Sequence, residues 1–188
     1  MSPSIAITLA SASPRRRALL ERAGLEVRIA PPEIDETPHP GEAPAALVER
    51  LAREKAAAVD ASPDAIVVAG DTIVLHGDEI LGKPRDAEDA ARMLTLLSGS
   101  SHEVLSGWCV RRGETLRSGV VVTRIRFRTL DLAEIERSVA SGEPLDKAGA
   151  YAIQGGGAAF VESIDGDRDS VVGLPLGAVL PEIRRLAV

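Results

Sequence analysis

A chain of 188 residues with 45% hydrophobic and 27% charged residues has enough apolar content for a packed core, which excludes disorder and suits one domain with room for two lobes. Its 22 basic and 28 acidic side chains leave a net charge of −6, which excludes sequence-independent nucleic-acid binding while leaving room for a local pocket that takes one small anion. The single cysteine, Cys109, excludes an internal disulfide and, with three scattered histidines, a Cys/His zinc centre. No charged leader precedes a long apolar core and no apolar run reaches about 18 residues, so a cytoplasmic protein without a membrane partner is expected.

In chain order, residues 5–10 form a short apolar run that reads as a buried strand. Ser13-Pro14 reads as an N-cap followed by proline at the first helical position, and that helix runs to about Ala23 with Gly24 as its stop. Residues 25–30 read as a second strand, and 31–44, rich in Pro, Glu and Asp, as a loop. The apolar spacing predicts an amphipathic helix over 44–59. Residues 65–75, rich in Val and Ile, read as a strand interrupted at Gly70-Asp71. Asp86 caps a helix reaching Leu97; 104–110 and 119–127 read as paired strands; 130–140 reads as a helix. A strand over 158–164 follows a glycine run, and 175–186 closes the chain as a helix. This alternation, with antiparallel pairs mixed in, predicts an α/β fold with a mixed sheet and no internal repeat.

Three features break the local rules. Arg15, Arg16 and Arg17 crowd the first turn of the first helix, where exposed cations oppose the dipole by roughly 0.3–1 kcal/mol each. An anion docked there reverses the sign, with Ser11, Ser13 and the helix N–H groups as hydrogen-bond donors and the arginines as charge; the alternative is a solvated basic turn. Lys55 falls near the middle of the apolar face made by Leu47, Val48, Leu51, Ala52, Ala58 and Val59. There it needs an anionic partner, loses its proton, or snorkels past the core edge. Asp71 follows the apolar run Ile66-Val67-Val68-Ala69-Gly70 and is placed at or near a strand end, where a carboxylate either holds a divalent cation, activates a water, or simply makes a turn. Asp35 and Glu36 form a second carboxylate pair in an acidic loop.

Two near-motifs mislead. Residues 77–83, Gly-Asp-Glu-Ile-Leu-Gly-Lys, match seven positions of a phosphate-binding P-loop, but Pro84 replaces the magnesium-binding Ser or Thr. Lys83 in that rigid turn can still reach a phosphate. Asp165, Asp167 and Asp169 alternate like an EF-hand, but Ser170 and Leu176 stand where its glycine and closing glutamate belong. Gln154, before Gly155-Gly156-Gly157, can donate to and accept from a base edge.

Together these stretches resemble the Maf (septum-formation-protein) family. The resemblance rests on Leu9-Ala10-Ser11-Ala12-Ser13-Pro14-Arg15-Arg16, Ile34-Asp35-Glu36, Ala52-Arg53-Glu54-Lys55-Ala56, Gly70-Asp71-Thr72, Leu81-Gly82-Lys83-Pro84 and Leu97-Ser98-Gly99 with His102. It continues through Asp146-Lys147-Ala148-Gly149-Ala150-Tyr151, Gln154-Gly155, Ile164-Asp165-Gly166 and Val172-Gly173-Leu174-Pro175, and spans nearly the whole chain. It implies a fold like the inosine triphosphate pyrophosphatases: residues 1–188 as one domain, an elongated mixed sheet with helices and two lobes around a cleft. It implies hydrolysis of a nucleoside triphosphate between the α and β phosphates with a divalent metal; Mg²⁺ or Mn²⁺ is expected, with Asp71 and Glu36 as candidate ligands and Asp71 as ligand or base alone both open. By matching position Asp71 is the proton acceptor, Glu36, Lys55 and Lys83 are further catalytic groups, and Arg15, Thr72 and Gln154 select the substrate beside Ser11, Ser13 and Arg16. Thr72 with Gln154 resembles the branch acting on dTTP and UTP; Ala152 and Gly156 depart from the family pattern beside Gln154. Relatives suggest a homodimer. The competing reading is a nucleotide-binding regulator of septum formation without turnover.

Overall fold

The computed structural model describes residues 5–187. Seven strands pair in the order β2-β1-β3-β5-β6-β7, with β4 added to β3. These are β1 (Ala6–Leu9), β2 (Glu26–Ile29), β3 (Ile66–His76), β4 (Glu79–Leu81), β5 (Ser101–Arg112), β6 (Thr115–Phe127) and β7 (Val161–Asp165). β1 runs parallel to β2 and β3, whereas β3/β4 and β6/β7 are antiparallel, so the sheet is mixed as expected. The helices are α1 (Pro14–Arg22), α2 (Pro44–Ala58), α3 (Ala87–Leu97), α4 (Leu132–Ala140), α5 (Arg168–Val172) and α6 (Leu176–Leu186). The chain divides into two compact units. One takes in the chain up to Asp71, Ser106–Val121 and the chain from Gly173; the other takes in Thr72–Leu105 and Val122–Val172.

In the first unit the local signals act as read. Ser13 accepts the Arg16 N–H, Pro14 opens α1, and Gly24 takes the left-handed conformation (φ 83°) after the helix ends. The core beneath α2 is built of small side chains: Ala10, Ala52, Ala56, Val67, Ala69 and Cys109. Small side chains let the helix lie close to the strands. The closest approach is at Gly107 on β5, where an added Cβ would lie 2.1 Å from the Val48 carbonyl oxygen. Burial pushes the Cys109 thiol up to about 12, so it stays protonated and inert.

Two expectations fail here and in β3. The strand is not interrupted at Gly70-Asp71 but continuous, and Asp71 lies in its middle rather than at its end. Gly70 serves close approach instead of a turn: a Cβ there would meet Leu174 at 3.1 Å and the Gly107 carbonyl at 3.2 Å.

The second unit has a larger core, gathered around Phe127, Leu94, Leu97, Ile125, Tyr151 and Phe160. Asp86 caps α3 as read, and Asp131 with Glu134 forms a capping box that starts α4 two residues later than expected. The P-loop-like heptad is a hairpin: Gly77 (φ 59°) opens a two-residue turn joining His76 to Glu79. The strand expected over 158–164 begins only at Val161, because Gly156–Phe160 winds into a 3₁₀ turn. Of the alternating aspartates, Asp167 caps: its Oδ1 accepts the Asp169 N–H at 2.8 Å and the Ser170 N–H at 3.3 Å, starting α5.

Gly107→Ala therefore forces α2 off β5. We expect a loss of about 1–3 kcal/mol or more in urea unfolding, the range for overpacked cores. An unchanged midpoint would contradict the close packing.

Candidate active site

The charged group in the first unit starts from α2. Its apolar face buries Leu47, Val48, Leu51 and Ala52, and the same periodicity carries Lys55 into the interior, where it is 9% exposed. Of the alternatives open to a core-facing lysine, the chain uses ion pairing. Lys55 Nζ donates to Asp71 Oδ1 at 2.7 Å and pairs with Glu36 Oε1 at 2.8 Å. Asp71 is itself buried, so neither charge is tolerable alone.

Glu36 reaches Lys55 because its loop is fastened to α2. Arg50 donates through Nε and Nη2 to the Glu42 carboxylate (2.6 and 2.8 Å), to Glu54 at 3.1 Å and to the Thr37 carbonyl at 3.2 Å. This clamp holds the Glu42 carboxyl down at about 2. Its neighbour Asp35 turns into the loop: hydrogen bonds from the Thr37 side chain and backbone hold its carboxyl below the ordinary range. Of the Asp35 and Glu36 pair, only Glu36 joins Lys55.

The three arginines divide. Arg17 pairs with Glu21 one turn on, at 2.6 Å on the surface. Arg16 folds inward: Nε donates to the Gly173 carbonyl at 2.8 Å and Nη1 to Ser11 Oγ at 3.1 Å. Burial draws the Arg16 guanidinium below its ordinary value; Asp71 and Glu36 oppose this, and Arg15 adds to it. The Arg15 side chain forms no ion pair or hydrogen bond among the described residues and sits in the first turn of α1, where a cation opposes the helix dipole. Ser11 Oγ accepts from Ser13 N–H and Arg16, and Ser13 Oγ caps α1, so both hydroxyls help build the turn.

The structure thus brings Glu36, Lys55, Asp71, Arg16 and Ser11 together. Two carboxylates and two cations cancel formally; Lys55 and Asp71 are buried, where charges interact strongly, while Glu36 stays exposed. Thr72, Lys83 and Gln154 belong to the second unit. Thr72 is the half-buried residue after Asp71 on β3, Lys83 is exposed just past β4, and Gln154 is exposed before the 3₁₀ turn. A groove of about 500 Å³ lies elsewhere on the first unit, lined by Glu49, Arg50, Arg53 and Leu116 among others; neither Lys55 nor Asp71 lines it. Sequence reading missed the Arg50–Glu42 clamp, since an eight-residue separation across a loop leaves no periodic signal.

With this group defined, comparison with known proteins is informative. The sequence matches the family described as Maf-like protein over residues 6–186, and the chain belongs to that family. It is 53% identical over 183 residues to a protein of Anaeromyxobacter dehalogenans named dTTP/UTP pyrophosphatase, covering 95% of this chain and 93% of that one. A Geobacter sulfurreducens protein of the same name is 52% identical, with 96% of each chain covered. A solved nucleoside-triphosphatase / dITP/XTP pyrophosphatase of Mycobacterium abscessus aligns over 98% of this chain and 99% of its own, at 17% identity and a TM-score of 0.45.

The ion pair predicts a stability signature. Lys55→Met leaves the Asp71 carboxylate without its ammonium and should cost about 3 kcal/mol. The double variant Lys55→Met/Asp71→Asn should recover part of that loss in urea unfolding. A Lys55→Met protein as stable as the native one would show that the pair does not hold the fold.

Proposed function

We propose that this chain is a nucleoside triphosphate pyrophosphatase that hydrolyses dTTP and UTP at the α–β phosphoanhydride, releasing the monophosphate and pyrophosphate in the cytoplasm. The observation that carries the reading is the buried Lys55–Asp71 ion pair joined from an exposed loop by Glu36. Membership of the Maf family, and identity above one half with proteins named for this activity, support it. No described helix is long and apolar enough to cross a membrane.

The reading includes Mg²⁺ or Mn²⁺, and the donor set fits. Asp71 and Glu36 offer hard carboxylate oxygens, the donor type such ions take. Asp71 and Glu36 would supply two ligands, and Mg²⁺ commonly takes only one or two carboxylates from a protein, so a larger cluster would not be needed. A bound metal supplies positive charge to the phosphate oxygens and lowers the pKa of a coordinated water. Lys55 touches both carboxylates, so a bound metal would share them with its ammonium.

The chain's own residues then divide the work. Asp71 accepts the proton of the water attacking the α-phosphorus, and Lys55 orients Asp71. Arg15, with the α1 N-terminus, supplies charge and donors to the phosphates, and Arg16 adds its charge from beside Asp71. Lys83 adds a further cation, while Thr72 and Gln154 read the base. A charged triphosphate repels its nucleophile, so this neutralisation is the main catalytic requirement.

Asp71→Asn should lower turnover by about 10²–10⁴, the typical worth of a general base, in protein that keeps its native circular dichroism but unfolds at lower urea because Lys55 loses a carboxylate. Near-native pyrophosphate release would remove Asp71 from that role. Gln154→Ala should reorder kcat/KM among UTP, dTTP and GTP; an unchanged ranking would remove it from base selection. Nucleotide binding without product in a Mg²⁺ assay would favour the regulatory reading, and orthophosphate with diphosphate would indicate a γ-phosphatase.

A further inference from the structure

The second unit holds a strained turn beside Lys83. Gly149 (φ 69°) and Ala150 (φ 60°) are both left-handed, and Ala150 is the one non-glycine residue with positive φ among the described residues. Such a conformation is unfavourable for a residue with a Cβ and persists only where the surroundings over-determine it. Three observations identify those surroundings.

First, the Gly149 N–H donates to the Gly82 carbonyl at 3.1 Å, and the Ala150 N–H donates to the Lys147 carbonyl at 3.1 Å. Gly82 directly precedes Lys83, and Pro84 on the other side is buried, so the Lys83 backbone is held at both ends while its side chain stays exposed. Second, Gly149 packs straight onto β3: a Cβ there would lie 3.0 Å from Val74. Third, the next residue, Tyr151, is anchored. Its hydroxyl lies 2.7 Å from His102 Nε2 on β5, in the interior. Its ring meets His102 and Phe127 edge-on at 5.4 and 4.8 Å, and Phe127 meets Phe160 at 5.9 Å. A chain with two Phe, one Tyr and one Trp spends three of these four on this anchor. His102 keeps its Nδ1 buried without a hydrogen-bond partner among the described residues, a cost that a purely apolar core position would avoid.

We propose that His102 and Tyr151 are positioning residues. Their buried hydrogen bond locks the left-handed Gly149-Ala150 turn, and that turn, through the Gly82 carbonyl, fixes the backbone from which Lys83 meets the phosphate chain. The inference rests on the role given to Lys83 above.

The test uses full-length protein, steady-state kinetics with UTP and Mg²⁺, and urea unfolding of every variant. Tyr151→Phe and His102→Leu each break the bond and should lower kcat by about 10- to 100-fold, the scale of a misplaced catalytic group. His102→Gln keeps a nitrogen near the Nε2 position and should retain most of the native kcat. Lys83→Ala should lower kcat on its own, and Lys83→Ala/Tyr151→Phe should fall little below Lys83→Ala, because both changes act through one side chain. If Tyr151→Phe fails to fold, His102→Leu carries the same expectation, with His102→Gln as its reference. A Lys83→Ala enzyme with native kcat would overturn the role of Lys83 itself. If Lys83→Ala is impaired but Tyr151→Phe and His102→Leu keep native kcat with lowered stability, the anchor is structural and the inference falls. Multiplicative losses in the double variant would also overturn it, since the effect would not pass through Lys83.

Discussion

An ammonium buried in an α/β core must be met by carboxylates, and Lys55 imposes that requirement on the first unit. Asp71 sits in the middle of β3, a position that would otherwise take a Val or Ile, and Glu36 comes from a loop to share the same nitrogen. Desolvating two charges is costly, and their attraction offsets that cost only in good geometry. Much of the surrounding sequence is explained by the need to keep that geometry.

The glycine at position 107 and the alanines under α2 bring the helix near enough for Lys55 to reach β3. Arg50 fastens the acidic loop so that Glu36 arrives at the same point. Arg16 ties α1 to Gly173, and Gly70 leaves room for that crossing. The result is a preorganised set of opposed charges. On the proposed function, an entering polyanion and cation would substitute for existing pairs rather than for bulk water.

The helices and most strands were legible because their signals are local: caps at Ser13 and Asp86, apolar spacing in α2, and alternating β-branched runs. Lys55 stood out for the same reason, a charge placed where the period calls for an apolar residue. The direct Lys55–Asp71 pair was not legible from spacing. Asp71 reads as lying at or near a strand end because Gly70 precedes it, and only the approach of Leu174 and the Gly107 carbonyl explains that glycine. The bond from Arg16 to Gly173 spans 157 residues and leaves no trace in spacing. The hairpin at Gly77 was obscured by its likeness to a P-loop. The segment from Glu143 to Phe160 consists of short 3₁₀ turns with left-handed residues, which carry no periodicity to read.

If the Asp71 carboxylate activates water for attack on the α-phosphorus, the fate of the solvent oxygen follows. Turnover of UTP in ¹⁸O-labelled water, with both products analysed by mass spectrometry, measures it directly. The account predicts that the label appears in the uridine monophosphate and is absent from the pyrophosphate. Label in the pyrophosphate would place the attack on the β-phosphorus and contradict it.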